Sequence, residues 1–244
     1  MGATLVPVET EIKLGEQFAA QIEEQETVLR DRSIQAYVRY IADQLIPYSQ
    51  QDRPEIQYRI TVLDNPKTVN AFAVPGGHLY VYTGLLLAAE SEAEVAGVMA
   101  HEIGHIVGRH SANQMAASVG LDMLANIALG EDPDQLSALA ANLGKASASA
   151  GFSRDDEREA DKYGVKYSIA AGYDPRGLLT FFEKLQALEG RSRSGLESLM
   201  ASHPATEERI KDIEKRIAKA GNPSGKDYQE RFIRKTAALR ARSR

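Results

Sequence analysis

A change in hydrophobic periodicity near residue 82 constrains the fold more than any other feature of this sequence. Residues 56 to 62 alternate between apolar and polar side chains, which is typical of a strand with one buried face. Two more short strands are expected at Val69 to Val74 and His78 to Tyr82, separated by a turn at Pro75-Gly-Gly. Everything after them has helical periodicity. We therefore predict an α+β, mostly α-helical fold with a small three-stranded sheet.

Helix-start signals and apolar spacing delimit the helices. Ser91 and Ser153 each begin a capping box, from which one helix runs past His110 and another towards Ala171. The Ala-rich segment between them, Ala112 to Gly151, predicts loosely packed helices or a flap that gates a cleft. The other predicted helices are Glu9 to Leu29, Ser33 to Ile46 (closed by Pro47), Pro175 to Leu188, Thr206 to Ala220 and Lys226 to Leu239.

Composition excludes several classes of protein. The 244 residues contain no cysteine, which rules out disulfides, cysteine-bound zinc and thiol nucleophiles. A net charge of −5 leaves the whole chain without an electrostatic surface for nucleic acid, so we predict no nucleic-acid partner. The last twenty residues are basic. We therefore expect one domain over residues 1–220 and a basic helical tail over residues 221–244, which is solvated or contacts anionic lipid.

The sequence gives no sign of a membrane-spanning segment. It has no run of 18 apolar residues, and its first residues lack the basic-then-apolar pattern of a signal peptide. We expect either a cytoplasmic protein or an exported one whose signal is missing from this sequence, with peripheral or lipid-anchored membrane association left open.

The predicted helix after Ser91 carries the motif His101-Glu-Ile-Gly-His105. Imidazoles at positions i and i+4 project from one helix face about 5–6 Å apart, so that both nitrogens reach one metal ion. Neutral imidazole favours zinc, although cobalt, nickel and copper also bind. Glu102 then lies beside a metal-bound water and is the candidate general base.

A catalytic zinc site takes a third protein ligand. On a continuing helix His110 points about 180° away from His101, so we expect it to be a surface histidine. The helix after Ser153 offers Glu157 and Glu159, and its apolar stripe puts Glu157 on the buried side. Asp161, one turn later, is expected to accept the N–H of a ligating histidine. The alternative is an acid pair in ordinary salt bridges.

Four motifs in the same order resemble those of the HtpX/BepA-type zinc metallopeptidases of metallopeptidase family 48, which also contains the CAAX prenyl protease. The resemblance extends from about Glu9 to Lys219 and implies a zincin-like catalytic domain. It further implies zinc on His101, His105 and Glu157, with Glu102 as general base. The motifs are Asn70-Ala-Phe-Ala-Val-Pro-Gly-Gly77, His101-Glu-Ile-Gly-His105, Ser153-Arg-Asp-Asp-Glu157-Arg-Glu-Ala-Asp161 and Ser202-His-Pro-Ala-Thr-Glu-Glu-Arg209-Ile.

The His203-Pro204 pair has two competing interpretations under this resemblance. In similar proteins a histidine here lies near the zinc, either as an inhibitory fourth ligand or as a catalytic donor to the transition-state oxyanion. The alternative is a histidine that merely precedes a proline at a helix start. We expect Arg209 to anchor this loop by an ion pair.

The second predicted strand is an edge strand to which an extended peptide can pair. Asn70 and Phe72 on it are the candidate substrate-binding residues, and a turn asparagine is an equal alternative for Asn70. His78, Tyr80, Tyr82, Tyr163 and Tyr167 are expected to be structural.

These observations predict a zinc-dependent endopeptidase that hydrolyses misfolded or unfolded proteins. The alternative is a peptide-binding quality-control factor in which His203 blocks a latent zinc site. A zinc hydrolase acting on small molecules is disfavoured because an edge strand suits a polypeptide. Soluble relatives are commonly exported bacterial proteins, so we expect a periplasmic or envelope-associated protein.

Overall fold

Helices enclose a small mixed sheet in this computed structural model, which describes residues 6–144, 151–188 and 197–243. The strands are β1 (Arg59–Leu63), β2 (Ala71–Val74) and β3 (His78–Tyr82), in the order β1-β3-β2. β1 runs parallel to β3, and β2 runs antiparallel to it. The predicted α+β, mostly helical fold with a three-stranded sheet is confirmed.

The described residues form twelve α-helices. Two precede the sheet, and the others follow it without further strands. They are α1 (Val8–Gln25), α2 (Arg32–Ser49), α3 (Thr83–Ala88), α4 (Glu92–Gly108), α5 (His110–Val119), α6 (Leu121–Ala128), α7 (Pro133–Gly144), α8 (Arg154–Ala170), α9 (Arg176–Leu188), α10 (Glu197–Ser202), α11 (Glu207–Lys219) and α12 (Gln229–Arg242).

The sheet separates two hydrophobic clusters. Side chains alternate across a strand, so Ala71 and Ala73 join the cluster that contains α2 and α4, whereas Phe72 and Val74 join the cluster that contains α1, α5 and α6. Both faces of β2 are therefore buried. This arrangement covers the sheet with helices on each side and holds α4 next to β2.

Several predicted boundaries were wrong. Pro47 lies inside α2 rather than after it, because Pro47 and Asp43 are exposed and water can solvate the carbonyl that a proline leaves unpaired. α1 ends at Gln25, since Leu29 instead donates its N–H to Val62 at the end of β1. β1 begins at Arg59, although Ile56 is buried as predicted.

The basic C-terminal segment packs against the rest of the protein. Phe232 and Leu239 of α12 belong to the same cluster as α4. The Arg231 guanidinium contacts both oxygens of the buried Glu92 carboxylate at the start of α4. Arg240 donates to backbone carbonyls around α3. One face of α12 thus helps to fix the N-terminus of the helix that carries the histidines.

Candidate metal centre

α4 supplies two imidazoles and a carboxylate. The Ser91 hydroxyl accepts the N–H of Glu94 and begins the helix, which continues without interruption to Gly108. His101 and His105 lie one turn apart on it, with their Nε2 atoms separated by 3.1 Å. Glu102, His101 and His105 are all buried.

A close crossing of α4 and α8 brings Glu157 to the histidines. A Cβ atom added to Gly104 would lie 2.9 Å from the Cα of Ala160, so the helices approach this closely only because position 104 is glycine. Glu157 lies one turn before Ala160. Its Oε2 is 3.5 Å from His101 Nε2, and its Oε1 is 3.6 Å from His105 Nε2. The side chain of Glu159 is instead 31% exposed and lies outside this group.

The start of α8 has the predicted capping box. The Ser153 hydroxyl accepts the N–H of Asp156, and the Asp156 carboxylate accepts the N–H of Ser153. This cap fixes where the helix begins, and therefore which of its acids faces the histidine pair.

His203 completes a group of four convergent side chains. It follows α10, and its Nδ1 lies 3.3 Å from His101 Nε2 and 2.8 Å from Glu157 Oε1. Its Nε2 lies 3.5 Å from Glu102 Oε1. The side chain is therefore wedged between the candidate ligands and the candidate base, and it is as buried as they are.

The four donor groups fit a divalent metal ion. One atom from each of His101, His105, Glu157 and His203 lies within 4.8 Å of the others. Donor atoms in a tetrahedral zinc site, with bonds of about 2.0–2.1 Å, lie about 3.4 Å apart, and four pairs of these donors lie 2.8 to 3.6 Å apart. A buried set of imidazoles and one carboxylate is also the donor chemistry that zinc prefers.

Asp161 and Arg209 form the outer layer of the site. Asp161 Oδ1 lies 2.9 Å from His101 Nδ1, and Arg209 contacts both oxygens of Asp161 at 2.7 and 2.9 Å. Arg209 also reaches Glu157 Oε2 at 2.6 Å and the carbonyl of Pro204 at 2.9 Å. Burial alone would raise the pKa of Asp161. Arg209 and His101 stabilise the carboxylate, however, and the pKa falls to about 2.

Glu102 has the surroundings of a proton acceptor. Burial raises the pKa of its carboxyl above the usual range, which brings it closer to neutral pH. Its Oε1 has no hydrogen-bond partner among the residues that the structure describes. The carboxylate also accepts the backbone N–H of Ala73, which ties it to β2.

His110 is not the surface histidine that the sequence predicted. Arg109 adopts a left-handed conformation, with φ of 59° and ψ of 28°, and ends α4. The chain turns back, and the His110 side chain is only 2% exposed, with its Nδ1 2.8 Å from His105 Nδ1. The prediction failed because it extended a regular helix through Arg109. Burial lowers the pKa of His110, which favours its neutral form.

The substrate-binding candidates occupy different environments. Asn70 is buried beside the edge strand, and its carbonyl accepts the N–H of Tyr82. The Phe72 ring stacks on Tyr80 with centroids 5.1 Å apart, within the cluster on the sheet face opposite α4. The Phe72 ring therefore faces away from α4, and substrate binding by Asn70 and Phe72 stays a prediction.

Sequence reasoning missed Phe152 and the full role of Arg209. The Phe152 ring stacks on His105 at a centroid distance of 4.0 Å. A cavity of about 330 Å³ lies between Phe152, Glu157, Pro204 and Arg209. No periodicity marks Phe152, since it lies just before a helix, and residues 145–150 of the predicted gating segment lie outside the described ranges.

Peptide hydrolysis is the chemistry that such a histidine pair, with its intervening glutamate and a carboxylate from a second helix, serves in metallopeptidases. The fold and the site together put the chain in this class.

Comparison with known families makes the assignment specific. The family described as Peptidase family M48 matches residues 30–217, so the chain belongs to this family.

Proteins from bacteria and yeast are similar to it. The Beta-barrel assembly-enhancing protease of Escherichia coli strain K12 is 28% identical over 224 residues, which cover 88% of this chain and 45% of that protein. The Mitochondrial metalloendopeptidase OMA1 of Schizosaccharomyces pombe is 32% identical over 75% of this chain and 53% of its own. Metalloprotease LoiP of Escherichia coli is 35% identical over 64% of this chain and 61% of its own.

The chain spans about half the length of the first two relatives. Within the ranges that the structure describes, none of the helices combines the length and the apolar character needed to cross a bilayer.

Proposed function

We propose that this chain is a zinc-dependent endopeptidase that hydrolyses peptide bonds of unfolded or misfolded proteins. One observation carries the proposal: four buried donor atoms converge within 4.8 Å of one another, directly beside the carboxylate of Glu102. A buried set of this kind is costly without a cation to neutralise it.

Each residue of the site has a distinct task under this proposal. His101, His105 and Glu157 would hold a zinc ion, which would supply polarisation of the substrate carbonyl and a lower pKa for the attacking water. Glu102 accepts the proton of that water and passes it to the leaving amine nitrogen, for which its raised pKa suits it. Asp161 keeps His101 in the tautomer that exposes Nε2 to the metal.

Substrate binding along β2, an edge strand of the described sheet, is part of the same proposal. β2 pairs only with β3 in the described sheet, and α4 lies next to it. A peptide that pairs with the backbone near Asn70 and Phe72 would present its carbonyl close to Glu102, which already contacts the Ala73 N–H. Unfolded or misfolded chains expose extended segments most readily and are therefore the expected substrates.

An envelope location is the finer part of the proposal. A relative that matches 88% of this chain is described as enhancing β-barrel assembly, which supports substrates among unassembled envelope proteins and a periplasmic site of action. The exposed basic face of α12 offers a means of peripheral contact with anionic lipid.

A second candidate function is favoured by the position of His203. Its Nδ1 lies among the donor atoms, where it would occupy the fourth coordination position and exclude water. In this form the chain would bind unfolded peptides as a quality-control factor while the metal site stays latent. Peptide hydrolysis by the variant His203→Ala, compared with that of the parent, distinguishes the endopeptidase from the peptide-binding factor.

The variant Glu102→Gln tests the proposed mechanism. The amide keeps the shape of the side chain but cannot take a proton, so the variant should bind zinc like the parent while digestion of casein falls about 10²–10⁴-fold. Glu207→Gln, on α11 with a side chain that is 78% exposed, is the matched control and should digest casein normally. Full activity in Glu102→Gln would remove this glutamate from the mechanism.

A further inference from the structure

His110 lies behind the candidate ligand His105, where the chain folds back after α4. The fold-back depends on Arg109, whose left-handed backbone is held by Nε contact with Glu11 Oε2 at 2.7 Å. It also depends on Gly108. A Cβ atom there would lie 2.2 Å from His110 Nε2, so only glycine leaves room for the imidazole. The position of the buried His110 ring thus requires both the left-handed conformation of Arg109 and the glycine at position 108.

The contact between the two rings joins the nitrogen atoms that face away from the candidate metal. His110 Nδ1 lies 2.8 Å from His105 Nδ1, whereas His105 Nε2 faces the donor cluster. Only one of the two Nδ1 atoms can carry the shared proton. If His105 carries it, His105 Nε2 is a lone pair that can bind a metal; if His110 carries it, His105 Nε2 bears a proton and cannot.

The surroundings of the far nitrogen of His110 decide between these arrangements. His110 Nε2 faces two carboxylates on the first turns of α8, Glu159 Oε2 at 3.5 Å and Asp156 Oδ1 at 3.6 Å. Two negative groups favour a proton on Nε2 over a lone pair. The neutral ring then has its lone pair on Nδ1, where it can accept the N–H of His105.

We propose that His110 is a positioning residue that holds the ligand His105 in its metal-binding tautomer, and that Asp156 and Glu159 select the tautomer of His110. The inference rests on the proposed role of His105 as a metal ligand. It makes the two histidines of the motif unequal, since His101 is held directly by Asp161 and His105 through a second imidazole.

Zinc affinity of the full chain, measured by competition with a chromophoric chelator, tests this inference. His110→Phe keeps a ring but removes the acceptor, and we expect zinc binding about 10–100-fold weaker than in the parent. His110→Asn carries an amide oxygen at the position of Nδ1, and we expect it to restore most of the affinity. His78→Phe, which removes a buried histidine at the start of β3, is the matched control and should bind zinc like the parent.

A second variant keeps every histidine. Gly108→Ala should force the His110 ring away from His105 and weaken zinc binding to a similar extent, and it covers the case in which His110→Phe does not fold. The visible absorption spectrum of the cobalt-loaded protein provides a readout that does not depend on activity. It should shift in His110→Phe and Gly108→Ala and return towards the parent spectrum in His110→Asn.

Three results would overturn the inference. His110→Phe could bind zinc as tightly as the parent, or Gly108→Ala could do so. His110→Asn could bind zinc as weakly as His110→Phe, which would mean that the affinity is lost through altered packing and not through loss of the acceptor. Failure of the parent itself to bind zinc would instead remove the metal assignment on which the inference rests, so the two failures are distinguishable.

Discussion

Nδ1 of His101 lies 2.9 Å from Oδ1 of Asp161, on the side of the ring opposite the donor cluster. Under the proposed function, the carboxylate accepts the proton of this nitrogen and leaves Nε2 as a lone pair, 3.1 Å from the Nε2 of His105. Two such nitrogens this close repel each other unless a cation lies between them.

Replacing Asp161 should therefore weaken metal binding. In Asp161→Asn the acceptor is uncharged, and we expect zinc affinity to fall about 10–100-fold in a chelator competition. Asp155→Asn, on the same helix with a side chain that is 90% exposed, is the control. Equal affinity in the two variants would contradict a positioning role for Asp161.

The Arg209 guanidinium balances the charge of two buried carboxylates, Glu157 and Asp161. The variant Arg209→Met removes this positive charge from both carboxylates. Without metal, its free energy of unfolding, measured in urea, should be about 3–5 kcal/mol lower than that of the parent. Excess zinc should reduce this loss, because it stabilises the folded state of any variant that binds it and supplies positive charge to Glu157.

Arg158→Met provides the comparison, since Arg158 pairs with Asp155 and Glu208 at the surface, where ion pairs contribute little to stability. Equal losses in the two arginine variants would mean that the inner ion pairs do not stabilise the site.

The sequence predicts that His101, His105 and Glu157 face one another, because short-range patterns determine which face of each helix carries them. The i, i+4 spacing of His101 and His105 fixes their common face, and the cap at Ser153 fixes the face of α8 to which Glu157 belongs. The three strands and most helices follow from the same short-range patterns. These features depend on neighbours within one or two turns of the chain.

The positions of His110 and Arg209 depend on tertiary contacts, which the periodicity of the sequence does not indicate. The left-handed conformation of Arg109 is supported by Glu11, 98 residues earlier, and it turns His110 inwards. Arg209 was expected to anchor a loop, but its pairing with Glu157 and Asp161 follows from the packing of α11 against α8. A glycine two residues before His110 was the available signal of a close approach.

Removal of His203 tests whether the site inhibits itself. Because its Nδ1 lies among the donor atoms, we expect His203→Ala to digest casein faster than the parent at saturating zinc. Zinc content is measured in parallel, since loss of a donor also weakens metal binding. A fall in hydrolysis would assign His203 to oxyanion stabilisation. Absence of hydrolysis in both proteins would favour the peptide-binding function.

The central claim is that a bound metal ion makes this chain a peptidase, and metal analysis combined with digestion tests it most directly. The purified protein should contain about one zinc ion per chain, lose casein digestion on treatment with a chelator and regain it when zinc is added back. A protein that holds no stoichiometric metal, or that digests casein equally well after the chelator has removed its metal, would contradict the account.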